Sequence, residues 1–139
     1  METMIRMQRP KIFIAEDNRE TANIIRESLK KFDIVSRIFR SGADFLMEVD
    51  NGLELVILDV NLSTLDGFQT LIELRRRNPE LLIVVISGDN IDHNRMEALD
   101  HGADYFLPKP IDLNVLESII LENFDIINAK LEKNKGYYA

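Results

Sequence analysis

Four apolar runs in this sequence each end in a side chain with chemistry to offer. KIFIAED closes on Glu16 and Asp17, LELVILD closes on Asp59, LLIVVISG carries Ser87, and DYFLP leads directly to Lys109. An unpaired charge is costly to bury, so an interior-type run ending in Asp59 needs compensating neighbours. Three carboxylates brought together supply hard oxygen ligands of the kind Mg²⁺ takes, with water, carbonyl or phosphate oxygens completing its shell. Lys109 can pair with Asp59 and with any phosphate placed there. Ser87 can donate a hydrogen bond to a phosphoryl oxygen. A cation beside Asp59 would keep it ionised and nucleophilic.

These residues work together only if the fold brings the run ends to one place. KIFIAED (Lys11–Asp17), LELVILD (Leu53–Asp59) and LLIVVISG (Leu81–Gly88) are rich in β-branched residues and nearly continuous. That pattern fits strands covered on both faces. Ile34–Phe39 and Asp104–Pro108 are weaker strand candidates. Helical spacing covers Arg19–Phe32, Ala43–Val49, Gly67–Arg77 and Asp92–Asp100, and a last helix from near Asp112 that runs past Leu131. Asn78-Pro79 and Gly102 act as stops. Strand and helix alternate five times, which predicts one parallel sheet with helices on both faces. All strand C-termini then share one edge, where open α/β sheets bind ligands.

The chain has 139 residues, 45% hydrophobic and 29% charged, enough for one domain with a core. With 17 basic and 24 acidic residues the net charge is -7, which argues against a nucleic-acid-binding surface over the whole domain. The charge balance does not exclude a local basic patch at Arg75, Arg76 and Arg77, but a solvated helix end suited to the helix dipole is the preferred reading. The sequence has no cysteine, which excludes disulfides, Cys-ligated zinc and thiol catalysis. No apolar run approaches bilayer length, and METMIRMQRP lacks the apolar core of a signal peptide, so a cytoplasmic protein is the simplest reading.

Four motifs in order carry a family resemblance: FIAED at Phe13–Asp17, VILDVNLSTLDG at Val56–Gly67, VVISGD at Val84–Asp89 and GADYFLPKP at Gly102–Pro110. On them the chain resembles a response-regulator receiver domain of two-component signalling, over residues 10–131. Residues 1–9 are read as an N-terminal extension and 132–139 as a C-terminal tail. The resemblance implies a three-layer (βα)5 flavodoxin-like fold with strand order 2-1-3-4-5. It implies Mg²⁺, or Mn²⁺, held by Glu16, Asp17, Asp59 and the backbone carbonyl of Asn61. Asp59 becomes the phosphoacceptor, Lys109 its partner, and Ser87 and Phe106 the switch residues. Asn61 and Asp89 take the positions that influence hydrolysis of the acyl phosphate. The implied partners are a histidine kinase or phosphotransfer protein and a downstream effector protein or domain. Direct nucleic-acid or membrane contact is not expected, and the chain is read as a monomer or a phosphorylation-linked dimer. One departure stands out: Ser63 occupies the place where the family usually carries proline. A cis Lys109-Pro110 bond is expected.

Each feature has a plainer reading. Glu16-Asp17 alone is a solvated turn, Ser87-Gly88 a turn, Lys109 a surface lysine and Phe106 core. His93 and His101 have no ligand-spaced partner. Leu116, Ile120, Phe124, Ile127 and Leu131 form a stripe whose first half packs on the sheet; its end suits a coiled-coil-like contact or a link to an output domain. Three functions compete. A phosphorylation switch, free-standing or part of a larger regulator or hybrid kinase, uses the whole residue set. A phosphatase with Asp59 as nucleophile wants a general acid two residues on, where Asn61 stands. A receiver-like module that takes no phosphate leaves the intact set unexplained.

Overall fold

The computed structural model describes residues 10–63 and 66–125. Five parallel strands, β1 (Ile12–Ala15), β2 (Arg37–Phe39), β3 (Leu55–Asp59), β4 (Leu82–Ser87) and β5 (Tyr105–Pro108), form one sheet in the order β2-β1-β3-β4-β5. The helices are α1 (Arg19–Lys30), α2 (Gly42–Glu48), α3 (Gly67–Arg77), α4 (Ile91–Asp100) and α5 (Leu113–Asn123). This is the expected flavodoxin-like arrangement. Among the described residues no helix is long and apolar enough to cross a membrane.

Period-2 alternation in the central strands explains the three layers. Phe13, Ala15, Val56, Leu58, Ile83 and Val85 face a core shared with Phe45, Leu71, Leu74 and Ala98 from α2, α3 and α4. Ile12, Ile14, Leu55, Ile57, Val84 and Ile86 face one shared with Ile25, Leu29, Leu116 and Ile120 from α1 and α5. With both faces covered, β3 is buried at every position and its sequence is unbroken by polar residues until Asp59. Side-chain oxygens of Asn18, Ser41, Asp66 and Asp112 accept backbone N–H groups at the starts of α1, α2, α3 and α5. The start of α4 differs: Asn90 is left-handed there (φ 41°) and makes no side-chain cap.

Three expectations need correction. First, α1 stops at Lys30 and β2 begins only at Arg37, because Asp33 turns the chain with φ 62° while Phe32 and Ile34 stay buried. Second, the last helix does not continue to Leu131. It ends at Asn123, and Phe124 is extended (φ -131°, ψ 143°). The Asn123 amide donates to the Ile119 carbonyl at 2.8 Å and to the Tyr105 hydroxyl at 3.0 Å, a side-chain alternative to further helix. Phe124 then packs against the α1–α5 core, while Ile127 and Leu131 lie outside the described residues.

Third, the Arg75–Arg77 helix end is solvated at Arg76 and Arg77 as expected, but Arg75 is not a free surface residue. Arg76 and Arg77 both pair with Glu73, whose carboxyl is held down at about 2 by hydrogen bonds from Arg76 and then Arg77. Arg75 reaches the carbonyls of Gly102 (2.7 Å), Leu81 (2.7 Å) and Pro79 (2.9 Å) and the Asp104 carboxylate (2.8 Å). Asp104 in turn accepts the Ile83 N–H at 2.8 Å, so one guanidinium ties the end of α3 to the starts of β4 and β5.

Gly67 sets the return of the β3–α3 loop: a Cβ there would overlap the Cα and carbonyl of Val60. Overpacking against backbone predicts that Gly67→Ala destabilises the domain by at least about 2 kcal/mol in urea unfolding. Arg75→Ala is expected to cost about 2 kcal/mol in the same measurement, since it strands several acceptors. Arg76→Ala, removing an exposed pair, leaves the midpoint near that of the parent.

Candidate functional site

The sheet register brings the chemistry-bearing residues to one edge. Glu16 follows the last residue of β1, Asp59 ends β3, Ser87 ends β4 and Lys109 follows β5. Backbone bonds continue past the strand ends: Val60 N–H donates to the Ile86 carbonyl at 3.2 Å, and Lys109 N–H to the Ser87 carbonyl at 2.9 Å. Glu16 is 0%, Asp59 3% and Ser87 0% exposed, so the site sits at the rim of the core rather than on an open surface. The Lys109-Pro110 bond is cis, as expected.

The Lys109 ammonium lies between two buried carboxylates, 2.7 Å from Glu16 Oε1 and 3.1 Å from Asp59 Oδ2. The remaining oxygens meet backbone donors: Asn18 N–H to Glu16 Oε2 at 3.0 Å and Asn61 N–H to Asp59 Oδ1 at 2.8 Å. Burial pushes the Glu16 carboxyl up from its ordinary range; Lys109 and the Asn18 N–H oppose this and the nearby Asp59 charge adds to it. Burial by itself pulls the Lys109 ammonium down, but Glu16 and Asp59 outweigh it, and Lys109 is held above the ordinary lysine value.

Glu16, Asp17 and Asp59 each offer an oxygen, and these lie within 4.8 Å of one another. One ammonium faces three carboxyl groups, which leaves the cluster short of positive charge. An all-oxygen donor set with that excess fits a hard divalent cation. Asp17 is the half-buried member, and its Oδ2 accepts the Ser63 hydroxyl at 3.1 Å. Ser63, where proline was expected on the resemblance, is thus bound to Asp17.

Ser87 is more constrained than its position in a turn suggests. Its hydroxyl lies 2.7 Å from Asn61 Oδ1 and 2.9 Å from the Asp89 carbonyl, either of which can take its single proton. Its oxygen accepts the Asn94 side-chain amide at 3.0 Å and the Asp89 N–H at 3.2 Å. Asn94, 5% exposed on α4, also donates to the Asp89 carbonyl at 2.8 Å. Asn94 carries no signal in the sequence, because it sits in a helix whose polar residues read as solvated. Asn61 contributes its side chain to Ser87 as well as its backbone to Asp59. Phe106 is half-buried against the α2–α4 core, with the Arg95 guanidinium 5.2 Å from its ring centroid. His93 is exposed, and His101 Nδ1 lies 2.7 Å from the Glu97 carbonyl; neither joins the cluster.

The chain is 32% identical over 111 residues to the transcriptional regulatory protein PcoR of Escherichia coli, covering 79% of this chain and 48% of that protein. It is 30% identical over 110 residues to the transcriptional regulatory protein TctD of Salmonella typhimurium, covering 78% and 49%. The chain therefore spans about half the length of these relatives. A CheY-like receiver domain from Methanospirillum hungatei superposes with a TM-score of 0.75 at 20% identity, over 94% of this chain and 99% of that one. Residues 12–121 match the sequence model of the response regulator receiver domain. With that match over most of its length, the chain belongs to the response regulator receiver domain family.

Proposed function

We propose that this chain is a phosphorylation-dependent switch in which Asp59 accepts a phosphoryl group from a histidine kinase or phosphotransfer protein. The observation that carries this reading is the Lys109 bridge to buried Glu16 and Asp59 at the sheet edge. A carboxylate held there has one fixed cation and a bonded oxygen on each side, so its orientation is set before a donor arrives. Asp59 forms the new bond to phosphorus as the bond from phosphorus to the donor nitrogen breaks, and the leaving imidazole keeps its electron pair and takes a proton. Such transfers depend on positioning and charge neutralisation more than on covalent help. Lys109 neutralises charge on the incoming oxygens.

Glu16, Asp17, Asp59 and the Asn61 carbonyl would hold Mg²⁺, with Mn²⁺ as a substitute. The ion would supply further neutralisation of the phosphoryl oxygens. Ser87 turns its hydroxyl toward the new group. Because its hydrogen-bonding capacity is already used, that turn breaks the bond to Asn61 or Asp89 and disturbs Asn94 on α4. Phe106 then moves inward, and the α4–β5–α5 surface presented to an effector changes. This is a population shift biased by a local charge change. The effector is a separate protein or a domain of the same polypeptide, as the half-length coverage of the relatives accommodates either. A phosphatase reading lacks support, since Asn61 replaces the needed acid and is engaged with Ser87.

Incubation with Mg²⁺ and acetyl phosphate is expected to add one phosphoryl mass to the intact chain, and Asp59→Asn to prevent it. Absence of an adduct with every donor tried, kinase-borne phosphate included, would sink the proposal. Mg²⁺ alone is expected to raise the unfolding free energy by about 2.7 kcal/mol at a concentration 100 times its Kd. EDTA reverses the gain, and Asp17→Asn abolishes most of it.

A further inference from the structure

The lysines and most of the arginines in the described residues lie within 3.5 Å of a carboxylate oxygen, as Arg37 does with Glu48 and Lys31 with Glu117. Three guanidiniums among the described residues have no carboxylate partner: Arg19, Arg26 and Arg40. All three line the same cleft of about 290 Å³, between α1 and the edge strand β2, together with Ala22, Asn23 and Ile38. In a chain with 24 acidic residues against 17 basic ones, this concentration of unmatched positive charge in one concavity is unexpected.

The cleft is also partly organised. Asn23 Oδ1 accepts Arg26 Nη2 at 2.9 Å, which fixes the guanidinium against α1. Arg26 Nε is buried and has no hydrogen-bond partner, a donor left unmatched at low dielectric. Arg40 donates from Nη2 to the Asp17 carbonyl at 3.3 Å and is among the residues that line the cleft. Planar guanidinium forks arriving from separate backbone positions suit a tetrahedral anion with several oxygens better than a single carboxylate. The volume lies just below the usual range for sites that enclose drug-sized ligands, which points to a compact group.

We propose that the Arg19–Arg26–Arg40 cleft binds a phosphoryl anion, a phosphomonoester or diphosphate group of a small molecule. The site is separate from the acidic cluster: it shares no lining residue with Glu16, Asp17, Asp59, Ser87 or Lys109, and it does not depend on phosphorylation at Asp59. Its one link to them is the Arg40 bond to the Asp17 backbone.

The test is a titration of the full chain with inorganic pyrophosphate and, separately, ADP, in EDTA without Mg²⁺, followed by ¹⁵N–¹H spectra of the arginine Nε–H groups. A saturable shift of the Arg26 Nε–H signal is expected. Arg26→Ala and Arg40→Ala should each weaken binding about tenfold or more, the loss of a charge-assisted hydrogen bond. Arg37→Ala, next to the cleft but paired with Glu48, and Asp59→Asn should bind as the parent does. Comparable affinities for the two ligands mean that the phosphoryl groups alone are read; much tighter ADP binding identifies a nucleotide as the source. Either result supports the site. A response that stays linear, that persists in both arginine variants, or that vanishes in Asp59→Asn overturns it. Arg40 is exposed, so its variant keeps the test decisive should Arg26→Ala fail to fold.

Discussion

The ion pair that the molecule is built around is Lys109 between Glu16 and Asp59. A carboxylate at the end of a fully covered strand is tolerable only with compensation close by. Three separate strand ends must arrive together to provide it: β1 delivers Glu16, β3 delivers Asp59, and the turn after β5 delivers Lys109. The parallel sheet is the scaffold that makes these ends coincide. Both apolar cores serve the same end, since they hold β1, β3 and β4 rigid from either side. The pair does not satisfy the site completely. Glu16 remains shifted upward by burial, and three carboxyl groups face one ammonium. That residual imbalance is what the proposed cation would offset.

Next to this charge cluster lies a polar chain of a different kind. Asn61, Ser87, Asp89 and Asn94 form hydrogen bonds that run from the β3–α3 loop to the body of α4. The start of α4 is the one among the described helices without a side-chain cap, and Asn90 holds a left-handed conformation there. Asn94 binds the preceding loop from inside the helix instead. A change at Ser87 therefore reaches α4 through two hydrogen bonds rather than through the backbone alone. The other end of the sheet is treated differently: Arg75 ties α3, β4 and β5 together by several carbonyl contacts. One end of the domain is clamped by Arg75, and the end that carries Asp59 and Lys109 holds the hydrogen bonds that meet at Ser87.

Most of the candidate site is legible in the sequence. Glu16, Asp17, Asp59, Ser87 and Lys109 each terminate an apolar run, and period-2 strands in a parallel sheet can only place such termini on one edge. Helix starts were nearly as clear from apolar spacing, and the structure shows Asn18, Ser41, Asp66 and Asp112 capping four of them through bonds to near neighbours. The errors fell where long-range contacts overrode local pattern. The leucine and isoleucine stripe after Asp112 favours a longer helix, yet Asn123 meets Tyr105 and the helix ends. Arg75 reads like its neighbours Arg76 and Arg77, and only the folded chain brings the carbonyls that separate it from them.

By itself, the sequence determined the fold class, the order of elements and the carboxylate–lysine set, because these follow from hydrophobic period and from residues at strand ends. Tertiary structure alone decided the partners of the polar side chains. Ser63 bonds to Asp17 across 46 residues, Asn94 is buried against Ser87, and Arg19, Arg26 and Arg40 share a cleft with no carboxylate among its lining residues. Hydrogen bonds and ion pairs are short-ranged and directional. Their pairing is set by where the packed elements place each side chain, a quantity that no local spacing in the chain contains.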